Sequence, residues 1–119
     1  MSITFKETAC KCGCGLNITP KFHFILNQIR LEYGKPIVVL SGARCPEHNA
    51  KIGGAKKSSH IEGLAVDLMR SSSLRAFLIA NVEKFDIYLE DPSHTGNDDA
   101  GWLHCQLRPT ASGKRVFLP

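Results

Sequence analysis

The sequence lacks any apolar run long enough for a membrane span or a secretory signal. No apolar stretch approaches the roughly 18 residues of a transmembrane helix. The first 16 residues hold two lysines and three cysteines and no apolar core of the kind a signal peptide has. Internal repeats and low-complexity tracts are also missing, and 119 residues are too few for two domains. We therefore expect one soluble domain over residues 1–119, cytoplasmic as synthesised, with no membrane insertion.

The sequence also lacks a large excess of charge of one sign. Fifteen basic and eleven acidic residues leave a net charge of +4. That charge is far below the density of a dedicated nucleic-acid binder, and no basic stripe interleaved with aromatic residues accompanies it. We expect no nucleic-acid partner. The five cysteines are an odd number in a chain without an export signal, which favours reduced thiols or metal ligands over a disulfide framework.

The hydrophobic pattern predicts short helices and short strands. One helix is predicted from Pro20 to Tyr33, with Thr19 as its N-cap and Gly34 as its end. Two more are predicted, one over 46–52 and one over 74–82 that is preceded by three serines at 71–73. The predicted strands cover 37–40, 64–68, 87–89, 102–107 and 115–118, and the polar stretch 90–101 is predicted to be a loop. This pattern indicates an α+β fold with a small antiparallel sheet flanked by helices.

Two segments carry residue types that bind metals. His60 and Asp67 are seven residues apart, which separates them by about 10 Å along a helix and sets them on opposite faces of one strand. A shared ion therefore requires a loop at His60 that folds back at Gly63. In the strand over 102–107, alternation turns His104 away from its two apolar neighbours. Spacing alone leaves open that all three are ordinary surface or core residues.

These three side chains make a typical catalytic ligand set if they meet. Two imidazoles and one carboxylate leave a fourth position on zinc for water. Bound zinc lowers the pKa of that water and polarises a neighbouring carbonyl. The sequence thus provides for metal-assisted hydrolysis.

The cysteines allow a second metal site. Cys10, Cys12 and Cys14 alternate and would face one way in an extended segment, and Cys45 would complete a set of four thiolates for a structural zinc. One-residue gaps strain such a chelate, so the alternative is a group of reduced thiols packed at the N-terminal turn. Cys105 is predicted to act as a small core hydrophobe.

Several ordered motifs resemble one known family. Ser58-x-His60-x6-Asp67, followed by a strand that carries His104, resembles the signature of the zinc D-alanyl-D-alanine carboxypeptidases. This family of peptidoglycan peptidases includes vancomycin-resistance dipeptidases and phage endolysin peptidases. Other segments match its order: Ser41-Gly42-Ala43-Arg44, Asn49, Gly53-Gly54-Ala55 and the opening Cys-x-Cys-Gly-Cys-Gly. The resemblance covers about residues 5–107.

The resemblance implies a fold, a cofactor and roles for named residues. The fold would be that of the hedgehog and D-Ala-D-Ala metallopeptidases, with a zinc cleft on the sheet. One catalytic Zn²⁺ would be held by His60, Asp67 and His104. Arg44 corresponds to the arginine that binds substrate and stabilises the oxyanion, a role that suits a fixed cation. Ser58 would hydrogen-bond the substrate or orient a ligand.

The general base is where the sequence departs from the family pattern. Many relatives have an acidic residue three positions before the last histidine ligand, where this chain has Gly101. We predict Asp99 as the base, with Asp98 and His94 as alternatives. Relatives often carry another acid two positions after that histidine, where this chain has Gln106.

The function implied is that of a zinc metallopeptidase whose partner is the peptidoglycan stem peptide. It would act as a D-Ala-D-Ala carboxypeptidase or as an endolysin-type endopeptidase. The alternative is a catalytically inactive, zinc-containing module that binds the cell wall or serves a structural role, as the glycine at position 101 allows. Access to the wall would follow phage release or carriage on a virion.

Overall fold

A computed structural model of the chain describes residues 3–54, 58–97 and 99–118. Within these residues the chain forms five helices and six strands. In chain order they are α1 (Phe5–Thr8), α2 (Pro20–Tyr33), β1 (Val39–Ser41), α3 (Pro46–Lys51), β2 (Ala65–Met69), α4 (Ser72–Asn81), β3 (Tyr88–Glu90), α5 (Pro92–Thr95), β4 (Gly96–Asn97), β5 (Ala100–Gln106) and β6 (Val116–Phe117). No helix among the described residues has the length and apolar character needed to cross a bilayer.

The longest helix, α2, confirms the predicted boundaries. Thr19 Oγ1 accepts a hydrogen bond from the Phe22 amide at 3.3 Å, which satisfies one of the free N–H groups of the first turn. Gly34 ends the helix with a φ of 76°, a left-handed conformation that glycine adopts without steric cost. Along one face, three apolar side chains are fully buried: Phe22, Leu26 and Ile29. This face holds the helix against the sheet.

The sheet is mixed, which corrects the prediction of an antiparallel one. Its order is β1-β2-β5-β3-β6, and the short β4 pairs with β5. Every pair is antiparallel except β3 and β6, which run parallel. Parallel neighbours need a long crossover, and the chain between β3 and β6 is long enough because it contains β5. The local sequence pattern favours hairpins between neighbouring strands and does not predict the parallel pairing of β3 with β6.

The stretch predicted as a polar loop, 90–101, contains structure. Pro92 begins α5, and the carboxylate of Asp91 accepts a hydrogen bond from the Ser93 amide at 2.9 Å as its cap. Gly96 then pairs with Gly101 in the β4–β5 hairpin. The four-residue α1 was also not predicted. Its capping box of Thr4 and Glu7 is visible in the sequence, but the apolar pattern of a full-length helix does not follow it.

The two faces of β5 separate the core from a cleft, as alternation predicts. Leu103 and Cys105 are fully buried and belong to the hydrophobic core. This core also contains buried side chains of α2, α4 and β2. His104 and Gln106 point to the opposite face and line a cleft. The central strand therefore anchors the fold with one set of residues and presents polar groups with the other.

Candidate metal centre

His60 lies on a loop that folds back before β2. Its carbonyl accepts hydrogen bonds from the amides of Arg44 at 3.0 Å and Gly63 at 3.2 Å. Gly63 has a φ of 71°, and a Cβ placed there would lie 2.8 Å from the carbonyl oxygen of Asn17. The predicted turn at Gly63 is confirmed, and both the conformation and the close approach require glycine.

Asp67 and His104 are brought together by strand register. They are direct partners in the antiparallel pairing of β2 with β5. The Oδ1 atom of Asp67 lies 3.0 Å from Nδ1 of His104 and 3.3 Å from Nε2 of His60. One ligand atom from each of the three residues lies within 4.8 Å of the others. The structure thus gathers the three residues that the sequence predicts as ligands.

On each histidine, the outer ring nitrogen, which is the one that does not face Asp67, lies against an oxygen acceptor. Nδ1 of His60 lies 2.8 Å from the carbonyl oxygen of Gly42, to which it donates. Nε2 of His104 lies 2.8 Å from Oε1 of Gln106. The Gln106 amide is oriented by its own donation to the carbonyl of Arg108 at 2.7 Å. Each ring therefore uses its N–H on the outer side.

The inner nitrogens are consequently lone-pair donors that face a carboxylate oxygen. Nε2 of His60 is buried and has no hydrogen-bond partner among the described residues. It approaches Oδ1 of Asp67, but neither atom brings a proton to the contact. A cation between them resolves this repulsion. Two imidazole nitrogens and one carboxylate oxygen match the ligand types of zinc, so the residues present fit the metal that the sequence predicts.

The ionisable groups at this centre influence one another strongly. Burial raises the pKa of Asp67, but the close approach of the His104 and His60 rings outweighs burial and holds that pKa well below its usual value. Burial lowers the pKa of His104, yet Asp67, Gln106 and the charge of Glu90 together raise it. The low pKa keeps Asp67 ionised, which is the form of a carboxylate that binds a metal cation.

The centre opens into a cleft of about 650 Å³. Arg44 and Ser58 both line it, and Nη2 of Arg44 lies 3.5 Å from the Ser58 hydroxyl. Burial lowers the pKa of Arg44, and the charge of Asp67 acts in the opposite direction. Nε of Arg44 is buried without a hydrogen-bond partner among the described residues. The predicted substrate-binding residues thus share the cleft with the predicted metal ligands.

Half of the cleft lining comes from the C-terminal part of the chain. It consists of Trp102, Arg108, Pro109, Thr110, Ala111, Ser112, Phe117 and Leu118. These side chains are mixed in polarity, which suits a ligand with both apolar and hydrogen-bonding parts.

The predicted general base, Asp99, lies elsewhere. Its Oδ1 accepts hydrogen bonds from the Ser72 amide at 2.7 Å and from the Ser72 hydroxyl at 3.1 Å, at the start of α4. It does not line the cleft. Of the alternatives, Asp98 is outside the described residues, as is Ala55 of the glycine motif. His94 contacts Glu90 rather than the metal centre.

The carboxylate that does line the cleft is Glu90, which the sequence did not reveal. Its strand β3 pairs with β5 so that Leu89 faces Cys105, which places Glu90 beside His104. Oε2 of Glu90 contacts Nδ1 of His94, and the Glu90 side chain is mostly buried. Only strand register shows this proximity, because the sequence around Glu90 reads as the end of a strand.

The four cysteines predicted to converge do so at a separate place. Sγ of Cys12 lies 3.3 Å from Sγ of Cys10 and 3.5 Å from Sγ of Cys45. All four sulfur atoms, including that of Cys14, lie within 4.8 Å of one another. Cys105 is distinct from them: it is fully buried in the core as predicted, and burial raises its pKa to about 12.

A comparison with known families identifies most of the chain. A family model described as Peptidase M15 matches residues 1–91. The matched range includes His60, Asp67 and Arg44 and ends before His104. No curated protein and no solved structure matched the chain.

Proposed function

The chain belongs to the M15 family of zinc D-alanyl-D-alanine carboxypeptidases, and from this membership we propose that it is a zinc metallopeptidase that hydrolyses a peptide bond in peptidoglycan stem peptides. One observation supports this most strongly. The inner nitrogens of His60 and His104 converge with Asp67 in the lining of a cleft that Arg44 also lines. Zinc bound to these three residues would activate water and polarise the scissile carbonyl.

Arg44 would bind the substrate. Its guanidinium is half-buried beside Ser58, and the buried Nε has no hydrogen-bond partner among the described residues. A guanidinium offers donors in a planar fork that matches a carboxylate or the oxyanion that forms on the carbonyl. Ser58 would orient this fork or donate directly to the substrate. A terminal carboxylate of D-Ala-D-Ala and the developing oxyanion are the two charges that Arg44 can meet.

Glu90 would move the proton. It is the acidic side chain that lines the cleft in addition to the ligand Asp67. A carboxylate at this place can take a proton from the attacking water and return it to the departing amine. His94 contacts the carboxylate oxygen Oε2 of Glu90 and would hold the side chain in position. We therefore propose Glu90 for the role that the sequence assigned to Asp99.

The substrate would be a terminal D-Ala-D-Ala or an internal bond of the stem peptide. The mixed polarity of the cleft supports a short peptide with methyl side chains and free carbonyls. We propose the bacterial cell wall as the place of action, reached through phage release or on a virion. The modest positive charge of +4 would favour an anionic wall.

The direct test is an assay of the zinc-loaded protein on D-Ala-D-Ala-terminated peptides and on intact peptidoglycan, read by mass spectrometry. We expect release of D-alanine or of shorter stem peptides, and loss of this activity in His60→Ala. His48→Ala is the matched control because His48 lies on α3 and does not line the cleft. Zinc bound at His60 without cleavage of either substrate would favour the inactive wall-binding module instead.

A further inference from the structure

A second group of metal-binding side chains lies outside the peptidase centre. It consists of Cys10, Cys12, Cys14 and Cys45, the thiol cluster. Four thiolates at about 2.3 Å from a zinc ion lie about 3.8 Å from one another. Two of the sulfur contacts measure 3.3 Å and 3.5 Å, and all four atoms fit within 4.8 Å. The sulfur atoms are therefore already grouped at nearly the spacing of a tetrahedral site.

The backbone overcomes the one-residue spacing of the first three cysteines. Gly13 and Gly15 have φ values of 82° and 89°, so the segment curls instead of extending. The curl is closed by a hydrogen bond from the Cys10 amide to the Leu16 carbonyl at 2.8 Å, and another joins the Gly13 amide to the Cys10 carbonyl at 3.1 Å. Glycine reaches these conformations at little cost. The loop thereby directs its thiols toward Cys45.

Backbone amides point at two of the sulfur atoms. The Cys45 amide donates to Sγ of Cys10 at 3.4 Å, and the His48 amide donates to Sγ of Cys45 at 3.4 Å. Such donors stabilise negative charge on sulfur, which is the form that binds metals. The arrangement is shared around one centre and is not divided into two sulfur pairs, as two disulfides would require.

We propose that the thiol cluster is a structural zinc site, independent of the catalytic ion. Four protein ligands close the coordination shell, so this zinc would have no open position for water or substrate. Its role would be to join the loop over 10–16 to the segment that carries Arg44, which directly precedes Cys45. The amide of Ala43 already donates to the Thr8 carbonyl at 2.9 Å, and the zinc would reinforce this junction.

The test is a count of bound metal in protein purified under reducing conditions. We expect two equivalents of zinc in the unaltered chain and one in Cys12→Ser, which removes an exposed ligand. His60→Ala should also retain one equivalent, held by the thiol cluster. The matched control is Cys105→Ala, which removes a buried thiol that does not belong to the thiol cluster and should leave two equivalents.

Cobalt gives a second readout that does not depend on enzymatic activity. Cobalt-substituted protein should show near-UV thiolate charge-transfer bands and strong visible bands of tetrahedral cobalt. These should persist in His60→Ala and disappear in Cys12→Ser, or in Cys14→Ser if the first variant does not fold. Retention of the bands in both cysteine variants, or their absence from the unaltered protein, would overturn the proposal. If the protein cleaves none of the substrates but keeps these bands, the peptidase proposal fails and the proposal of a zinc site at the thiol cluster does not.

Discussion

At the scale of single residues, the candidate centre depends on where two imidazole protons lie. Gly42 and Gln106 accept the outer N–H groups of His60 and His104, so both inner nitrogens are free to bind a metal. These acceptors support the candidate ligands, because they select the tautomer that a metal needs. In the proposed mechanism, Glu90 supplies the carboxylate for proton transfer.

Replacement of Glu90 tests the proposed base. We expect Glu90→Gln to lower kcat by about 10²-fold to 10⁴-fold with little change in KM, because the variant keeps the shape but cannot accept the proton. Steady-state kinetics on the best peptide substrate measure both constants. Asp99→Asn is the control and should retain most of kcat, since its carboxylate bonds Ser72 outside the cleft. The reverse outcome would return the role to Asp99.

Replacement of Gln106 tests the control of the tautomer. Gln106→Leu removes the acceptor for Nε2 of His104, and we expect zinc affinity at the catalytic site to fall about 10-fold to 100-fold. Competition with a chelating dye measures this affinity, in Cys12→Ser background so that only one site is counted. Gln106→Glu keeps an oxygen acceptor and should lose less affinity. Equal losses in the two variants would show that the acceptor is unimportant.

At the scale of elements, a loop and strand register bring the three candidate metal ligands together. The turn at Gly63 brings His60 back over β2, and the pairing of β2 with β5 sets Asp67 opposite His104. The turn is tight enough that its amide and carbonyl groups bond both His60 and Thr19. A change in the turn should therefore reach the metal centre directly.

Gly63→Ala should destabilise the protein and weaken zinc binding. The new Cβ meets the Asn17 carbonyl oxygen at 2.8 Å and forces a left-handed φ of 71° on alanine. We expect a loss of about 1–3 kcal/mol in the free energy of unfolding, measured with denaturant. Gly53→Ala separates the two causes, because its φ is 74° but no atom lies within 4 Å of the added carbon. A smaller loss in Gly53→Ala is expected, and equal losses would contradict a steric effect at Gly63.

At the scale of the whole molecule, the two faces of the sheet have different roles. Its inner face packs on α2 and α4, and its outer face carries the cleft. The family match ends at residue 91, yet His104 and much of the cleft lining come from later residues. The C-terminal part of the chain is thus needed for the complete centre.

Leu103→Ala tests whether the two faces of β5 act independently. Leu103 is fully buried, so we expect the free energy of unfolding to fall by about 2–5 kcal/mol. The folded protein should still bind zinc at the catalytic site, since His104 points to the other face. Calorimetry with metal analysis measures both quantities. Leu31→Ala is the control, because Leu31 is 72% exposed and should change stability little. Loss of zinc from folded Leu103→Ala protein would show that the faces are coupled.

Much of the fold was predictable because its determinants are local. The cap at Thr19, the proline at Pro20 and the terminal glycine at Gly34 define α2 within a few residues of chain. The alternation in β5 separates core from cleft in the same way. The parallel β6 was not predictable, since its partner is a strand distant in sequence.

By itself, the sequence determined which side chains are available for metal binding and where the chain can turn. The histidine, aspartate and cysteine side chains are the candidate ligands of both groups, and the glycine at 63 allows the turn, because ligand chemistry and backbone freedom belong to the residues themselves. Only the tertiary structure decided which carboxylate lines the cleft beside the candidate ligands. It directs Asp99 to Ser72 and places Glu90 beside His104. The pairing of β3 with β5 joins residues that are far apart in the sequence, so no local pattern contains it.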